Sequence, residues 1–279
     1  MTTLTSGATF VAALRRSNDI RLCAYTLSPG RVLDALVEAA ERGARVCVRL
    51  AADPYGGDGI VRSNLAAIAR LVDAGADAAS ASGSRLHLKA AIVDDVAYFD
   101  DRNWPSRGND TVVRDDAVRD VSAVRAVFAG CRPPPDARVA LEKRAALARE
   151  VLVIDQARRG ESIIVSTESF GAGNGVYAAL GRAARRGAHV RVLVNAAIAR
   201  ENPAERRAIA ALQREGISIR AGSSSEKFAV TGGRVWVGSA NATVDVARQL
   251  DWGVALSDPR VACRERRAFE MRWAKSGSM

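Results

Sequence analysis

Apolar residues run along this chain in two rhythms, one helical and one extended, and the same succession of rhythms occurs twice. Residues 33–50, LDALVEAAERGARVCVRL, space their apolar positions for a helix, turn at Arg42-Gly43 and continue as a V-x-V strand. Residues 177–194, YAALGRAARRGAHVRVLV, repeat that order around Gly187. A strand precedes each helix, DIRLCAYTL in the first copy and SIIVSTESF in the second, and a second amphipathic helix follows each, LAAIARLVDAG and ERRAIAALQREG. Glycine closes the helices, where a left-handed C-terminal residue costs least. Strands alternating with helices at these lengths predict an α/β fold of two repeated halves, each a mixed sheet flanked by helices.

The copies stay in step beyond this point. Residues 85–104, RLHLKAAIVDDVAYFDDRNW, align with the stretch that contains SSEKFAVTGGRVWVGSANAT, so that His87 falls on Ser225, Lys89 on Lys227, Asp94 on Gly232 and Asn103 on Asn241. Each copy closes on a strand and a helix, DTVVRDDAVRDVSAVRAVF and DWGVALSDPRVACRERRAF. Between them a proline run, which cannot continue a helix, opens a helical linker. The expected division is 1–135 for the first repeat and 136–279 for the linker helix and second repeat.

Composition narrows the class more than the activity. Of 279 residues, 48% are hydrophobic and 26% charged, which suits a globular protein and argues against disorder. Lys and Arg outnumber Asp and Glu by 41 to 31, a net charge of +10 that favours a polyanion, nucleic acid or an anionic membrane surface, unless the arginines only decorate solvated helix faces. Four scattered cysteines without a CxxC pair read as reduced, mostly buried thiols, and no zinc spacing is present. The N-terminal residues lack a basic start before an apolar core, and no segment has the length to span a bilayer. The expectation is a cytoplasmic protein, monomer or homodimer, without an integral membrane segment.

Of only two histidines, His189 in GAHVRVLV reads as a satisfied core residue on an apolar strand. His87 differs. With Lys89 and Asp94 it forms H-x-K-x-x-x-x-D, and Asn103 follows after a strand, a turn and a strand. This pattern, together with the repeat, resembles the phospholipase D superfamily, whose HKD motif occurs twice per active site around a pseudo-twofold axis, and the resemblance covers nearly the whole chain. It implies a metal-independent phosphodiesterase without cofactor, in which a neutral imidazole attacks phosphorus to give a phosphohistidine that water or an alcohol resolves. His87 would be the nucleophile. Residues two apart on a strand share a face, so Lys89 would project beside it and, with Asn103, Lys227 and Asn241, hold the phosphoryl oxygens; Ser225 and Ser239 stand with the second set. The family's acidic residue after the asparagine, which holds the imidazole's other N–H, aligns with Asp110 and, in the second copy, with Asp251. Asp94 is expected to brace the hairpin.

Two departures qualify the resemblance. The second motif reads SEKFAVTG, with Ser225 and Gly232 where the family has histidine and aspartate, so the usual general acid is missing. Glu226 points away from the Ser225 and Lys227 face, which leaves Glu168 in STESF as the better substitute; pairing of two chains, or loss of activity, are the alternatives. The first motif reads DDRN in place of the usual Gly-Ser before asparagine, and Asp100 and Asp101 would repel a phosphate unless neutralised by Arg102 or Arg107 or turned away. The substrate class is a phosphodiester, with charge favouring nucleic acid over a phospholipid headgroup. Aromatic residues at 5% argue against a long base-stacking platform, and Trp104 or Trp252 could line the site mouth or pack in the core. The rival class is a non-catalytic phosphate-binding module.

Overall fold

The computed structural model describes residues 2–54, 57–81, 85–104, 111–134, 136–223, 225–244 and 248–278. The first half runs β1 (Thr2–Ser6), α1 (Gly7–Arg16), β2 (Asp19–Ala24), α2 (Arg31–Glu41), β3 (Arg45–Ala51), α3 (Asp58–Asp73), β4 (Asp77–Ala81), β5 (Arg85–Leu86), β6 (Ala90–Val93), β7 (Val96–Asp100), β8 (Thr111–Asp115) and α4 (Val118–Phe128). The second runs α5 (Lys143–Asp155), β9 (Ser162–Thr167), α6 (Gly175–Arg185), β10 (His189–Asn195), α7 (Ala196–Glu201), α8 (Pro203–Arg214), β11 (Ser218–Gly222), β12 (Phe228–Thr231), β13 (Arg234–Gly238), β14 (Gln249–Leu250), β15 (Gly253–Ser257), α9 (Pro259–Trp273) and β16 (Gly277–Ser278).

In the first unit seven strands form one mixed sheet in the order β1-β8-β7-β6-β2-β3-β4. β2, β3 and β4 are parallel, as crossovers through α2 and α3 allow, and β6, β7 and β8 return as an antiparallel meander. Ile20 and Leu22 of β2, Leu33 and Leu36 of α2, and Phe10 and Leu14 of α1 are fully or almost fully buried in one core. Each side chain of that kind stabilises by roughly 1.5–3 kcal/mol when taken from water.

The second unit has its own mixed sheet in the order β15-β13-β12-β9-β10-β11-β16. Apart from β1 and β16, which extend opposite edges, the two orders coincide strand for strand. The repeat extends to atoms. After α2, the Gly43 N–H donates to Ala40 O at 2.8 Å and the Ala44 N–H to Ala39 O at 3.0 Å; after α6, Gly187 and Ala188 donate to Ala184 O and Ala183 O at 2.8 and 3.0 Å. Both glycines have positive φ, 92° and 85°, which is why the sequence shows RG at each site. Asp94 and Gly232 likewise occupy the same left-handed hairpin position, with φ of 53° and 57°. A side chain there is strained, so Gly232 is the unstrained choice, whereas Asp94 uses its carboxylate to accept from the Asn18 and Asp19 N–H groups at 3.2 and 3.1 Å.

The compact units are Met1–Glu142 with Arg248–Trp252, and Lys143–Ala247 with Gly253–Met279. The division thus falls after Glu142 rather than at residue 135, because Asp120 holds the segment that follows α4. Its Oδ1 accepts from the Arg138 and Val139 N–H groups at 2.6 and 3.1 Å, and the Arg138 guanidinium donates to Oδ2 at 3.1 Å. The helix expected for the linker is α5, which packs on the second sheet. The strand β14 leaves the second half of the chain and pairs in parallel with β5 of the first unit, Gln249 opposite Arg85 and Leu250 opposite Leu86.

Two expectations about side chains are corrected. His189 is exposed, because it is the first residue of β10 and the inward positions of that strand are Val190 and Val192. Of the four free cysteines only Cys23 is buried; Cys47 is half-buried, and Cys131 and Cys263 are exposed.

Candidate active site

The first unit gathers a histidine, a lysine, a carboxylate and a phenol around one point. His87 and Lys89 lie on the extended segment between β5 and β6, and the His87 N–H is tied to the Leu250 carbonyl at 3.0 Å. That pairing delivers the next residue, Asp251, whose Oδ1 lies 2.6 Å from His87 Nδ1. Asp251 is fully buried, and its other oxygen accepts from Gln249 Nε2 at 2.8 Å. A carboxylate only accepts, so the nitrogen facing it carries the proton and Nε2 of the neutral ring is left with its lone pair. Lys89 is 1% exposed, and its Nζ lies 2.9 Å from both ring nitrogens. Tyr25, just after β2, sets its ring edge-on to the imidazole at 4.8 Å, with the Lys89 ammonium 5.5 Å from the ring centre.

Asp251 therefore fills the place beside His87 to which the sequence assigned Asp110; Asp110 and Arg107 lie outside the described residues. Tyr25 and Gln249 were not anticipated. Asn103 is exposed on the turn after β7.

The DDRN carboxylates are turned inward. Asp100 is fully buried and its Oδ2 accepts from the Trp104 N–H at 2.6 Å. Burial pushes its carboxyl above the usual carboxylate range, against the opposing pull of that N–H and of the Arg102 and Lys89 charges. Asp101 is buried with its Oδ1 3.6 Å from Arg102 Nε. Trp104 and Trp252 are core residues: Trp104 Nε1 donates to Cys23 O at 3.3 Å and Trp252 Nε1 to Asp100 O at 2.7 Å.

In the second unit Lys227, also buried, places Nζ 3.0 Å from Glu168 Oε2 and donates to the Ser225 carbonyl at 2.8 Å. Three residues of the degenerate motif's surroundings are thus brought together. Asn241 Oδ1 accepts from the Ser169 N–H at 3.2 Å, and Ser239 is fully buried. Glu226 points elsewhere and pairs with the Arg272 guanidinium, as strand alternation requires. Among the described residues no cluster of three or more His, Cys, Asp and Glu side chains could hold a metal ion, and no helix is long and apolar enough to cross a membrane.

A family profile described as "Cardiolipin synthase, PLD-like domain" matches residues 151–273, the repeat whose motif is degenerate. The other repeat carries the intact H-x-K-x-x-x-x-D on the same strand order. This profile, together with the repeat, supports the phospholipase D superfamily. Whole-chain likeness in fold extends to phosphatidylserine synthase from Haemophilus influenzae Rd KW20, at 10% identity and a TM-score of 0.64, covering 100% of this chain and 87% of that one. Polyphosphate kinase from Porphyromonas gingivalis is similar at 17% identity and a TM-score of 0.65 over 96% of this chain, which spans 46% of the kinase. Nuc from Salmonella typhimurium, a phospholipase D family member, matches 50% of this chain over 97% of its own at 22% identity and a TM-score of 0.45. No curated protein matches at the sequence level. At these identities the likeness is one of fold; within this superfamily fold the chain has one histidine motif and one serine substitute.

Proposed function

We propose that this phospholipase D superfamily member is a metal-independent phosphodiesterase whose nucleophile is His87. The observation that carries the reading is the 2.6 Å contact between His87 Nδ1 and the buried Asp251, which fixes the tautomer that frees Nε2. In the reaction Nε2 attacks phosphorus and forms a P–N bond while the P–O bond to the leaving group breaks, and the Asp251 carboxylate offsets the positive charge of the phosphorylated ring. Lys89 exchanges its contact with the imidazole for a non-bridging oxygen, where charge builds in the transition state. Water or an alcohol then takes the phosphoryl group and restores the ring. Asn103, Lys227 and Asn241 are assigned to phosphate oxygens, with Ser225 and Ser239 beside them. Glu168 is assigned to proton transfer, and Asp94 to bracing the hairpin. The net charge of +10 favours nucleic acid as the source of the phosphodiester over a phospholipid headgroup.

The experiment is to incubate the protein with DNA, RNA and phospholipid panels and trap an acid-labile phosphohistidine. Labelling of the wild type and none of His87→Ala supports the reading; turnover by His87→Ala overturns it. Phosphate binding without turnover is the second reading, favoured by serine at position 225, and binding without labelling in every panel would select it.

A further inference from the structure

The second unit contains a cavity of about 480 Å³ that takes no part in the chemistry above. Its lining includes Phe170 from the loop after β9, Tyr177 of α6, Ala204, Arg207 and Ala208 of α8, and Val244 after β13. The walls are fixed without a ligand. Asn174 Nδ2 donates to the Gly171 and Ala242 carbonyls at 2.6 and 2.9 Å, and the buried Lys143 donates to Thr243 Oγ1 and the Val244 carbonyl at 2.8 and 3.1 Å. A preformed cavity of this size suits a small molecule, because little ordering is lost on binding.

Its polar groups indicate what kind of molecule. Glu205 belongs to the lining but exposes no surface; its Oε2 accepts from the Ser169 hydroxyl at 3.1 Å and its Oε1 is buried without a partner among the described residues, so a ligand does not reach it. Asn202 is spent on capping α8, accepting from the Ala204 and Glu205 N–H groups at 3.0 and 3.2 Å. Arg207 is exposed and makes no ion pair among the described residues, unlike Arg182 and Arg185 of the same unit, which are held by Asp155 and Glu215. The Tyr177 hydroxyl has no partner among the described residues either, and its ring is backed by the buried Phe170, 6.0 Å away and inclined at 35°. The accessible charge is a guanidinium, whose planar fork matches phosphate, beside the half-buried Tyr177 ring.

We propose that this cavity binds a planar aromatic group carrying a phosphate, with the ring against Tyr177 and the phosphate on Arg207. A nucleotide has that chemistry, free or at the end of a strand. The inference is independent of the reaction assigned to His87.

Calorimetry with adenosine monophosphate and with a 5′-phosphorylated trinucleotide tests it on the full chain, in the His87→Ala background so that no substrate is consumed. Arg207→Ala should weaken binding about tenfold or more, the usual scale for losing a hydrogen bond to a charged group. Ala204→Trp, at an exposed lining position, should abolish it by filling the space. Thermal midpoints equal to the parent's establish that both variants are folded. Binding of the mononucleotide identifies a free nucleotide, and binding of the trinucleotide alone identifies a strand end. Failure of both to bind the parent, or equal binding by parent, Arg207→Ala and Ala204→Trp, overturns the proposal.

Discussion

Asp251 reaches His87 across 164 positions of sequence, and it does so through main-chain pairing as well as through its carboxylate. Leu250 accepts the His87 N–H, and Asp251 follows it directly, so the backbone that orients the histidine also carries its acceptor. An imidazole held at both its backbone and its Nδ1 loses little freedom when it attacks.

Replacing Asp251 by asparagine tests the acceptor. An amide can turn its NH₂ towards Nδ1 and stabilise the tautomer whose lone pair faces inward, which leaves Nε2 protonated and unable to attack. By analogy with the Asp-to-Asn change in the Ser-His-Asp triad, turnover should fall by about 10⁴-fold. Substrate binding should change far less. Steady-state kinetics beside a binding isotherm separates the two, and a variant with more than a tenth of wild-type turnover would remove Asp251 from the mechanism.

Gln249 donates to the second oxygen of Asp251 at 2.8 Å and so drains part of the negative charge that faces His87. Besides Asp251, Lys89 at 2.9 Å and Tyr25 face the ring among the described residues. In Gln249→Met the carboxylate keeps its full charge, the imidazolium is better stabilised, and His87 should titrate at higher pH than in the wild type. The acid limb of the rate profile moves the same way. Proton NMR follows this easily, since the chain has two histidines and the exposed His189 serves as internal reference. A shift to lower pH, or none, would remove Gln249 as a positioning residue.

What could be read from the sequence divides along a physical line. Local chemistry was legible: Gly43 and Gly187 marked helix ends because only a left-handed residue closes them cheaply, and His87 and Lys89 shared a side because extended chain alternates. The pairing of β14 with β5 was not, because two residues of parallel ladder leave no periodicity. Symmetry made Asp251 a member of the second motif, and only the tertiary fold carries it to the first. Asn64 and Glu205 were missed for another reason. Each is a buried polar residue that staples the loop after its central strand, Asn64 to the Leu27 N–H at 3.0 Å and Glu205 to the Ser169 hydroxyl at 3.1 Å, and neither type is distinctive inside an amphipathic helix.

Gly253 and Gly238 face each other in the β13–β15 ladder, and the space at Gly253 is already taken. A Cβ there would lie 2.7 Å from Trp236 Nε1, 2.9 Å from Ala146 Cβ and 3.1 Å from Ala146 Cα. The last is helix backbone, which moves only if α5 lifts off the sheet. Gly253→Ala should therefore lower stability by about 1–3 kcal/mol in urea unfolding. Gly233→Ala, with nothing within 4 Å of its Cβ, is the control and should stay within about 0.5 kcal/mol of wild type.

Glu150 links stability to pH. It is buried in α5, its Oε2 has no hydrogen-bond partner among the described residues, and burial alone pushes its carboxyl up to about 8 from an ordinary 4.5. The folded state then holds this proton more tightly than the unfolded chain does. Its contribution is fully present below pH 4.5, where both states are protonated, and is lost as pH rises towards and through 8, where the folded protein must ionise a buried group. The displacement corresponds to a loss on the order of 4 kcal/mol across that window. Glu150→Gln keeps the shape and removes the titration, so its advantage over wild type should be small at pH 5 and grow to several kcal/mol at pH 9. Taking the difference between the two proteins cancels every other titrating group. Urea midpoints at both pH values measure it, and a difference independent of pH would show that Glu150 is already ionised, with a cation beside it, in the folded chain.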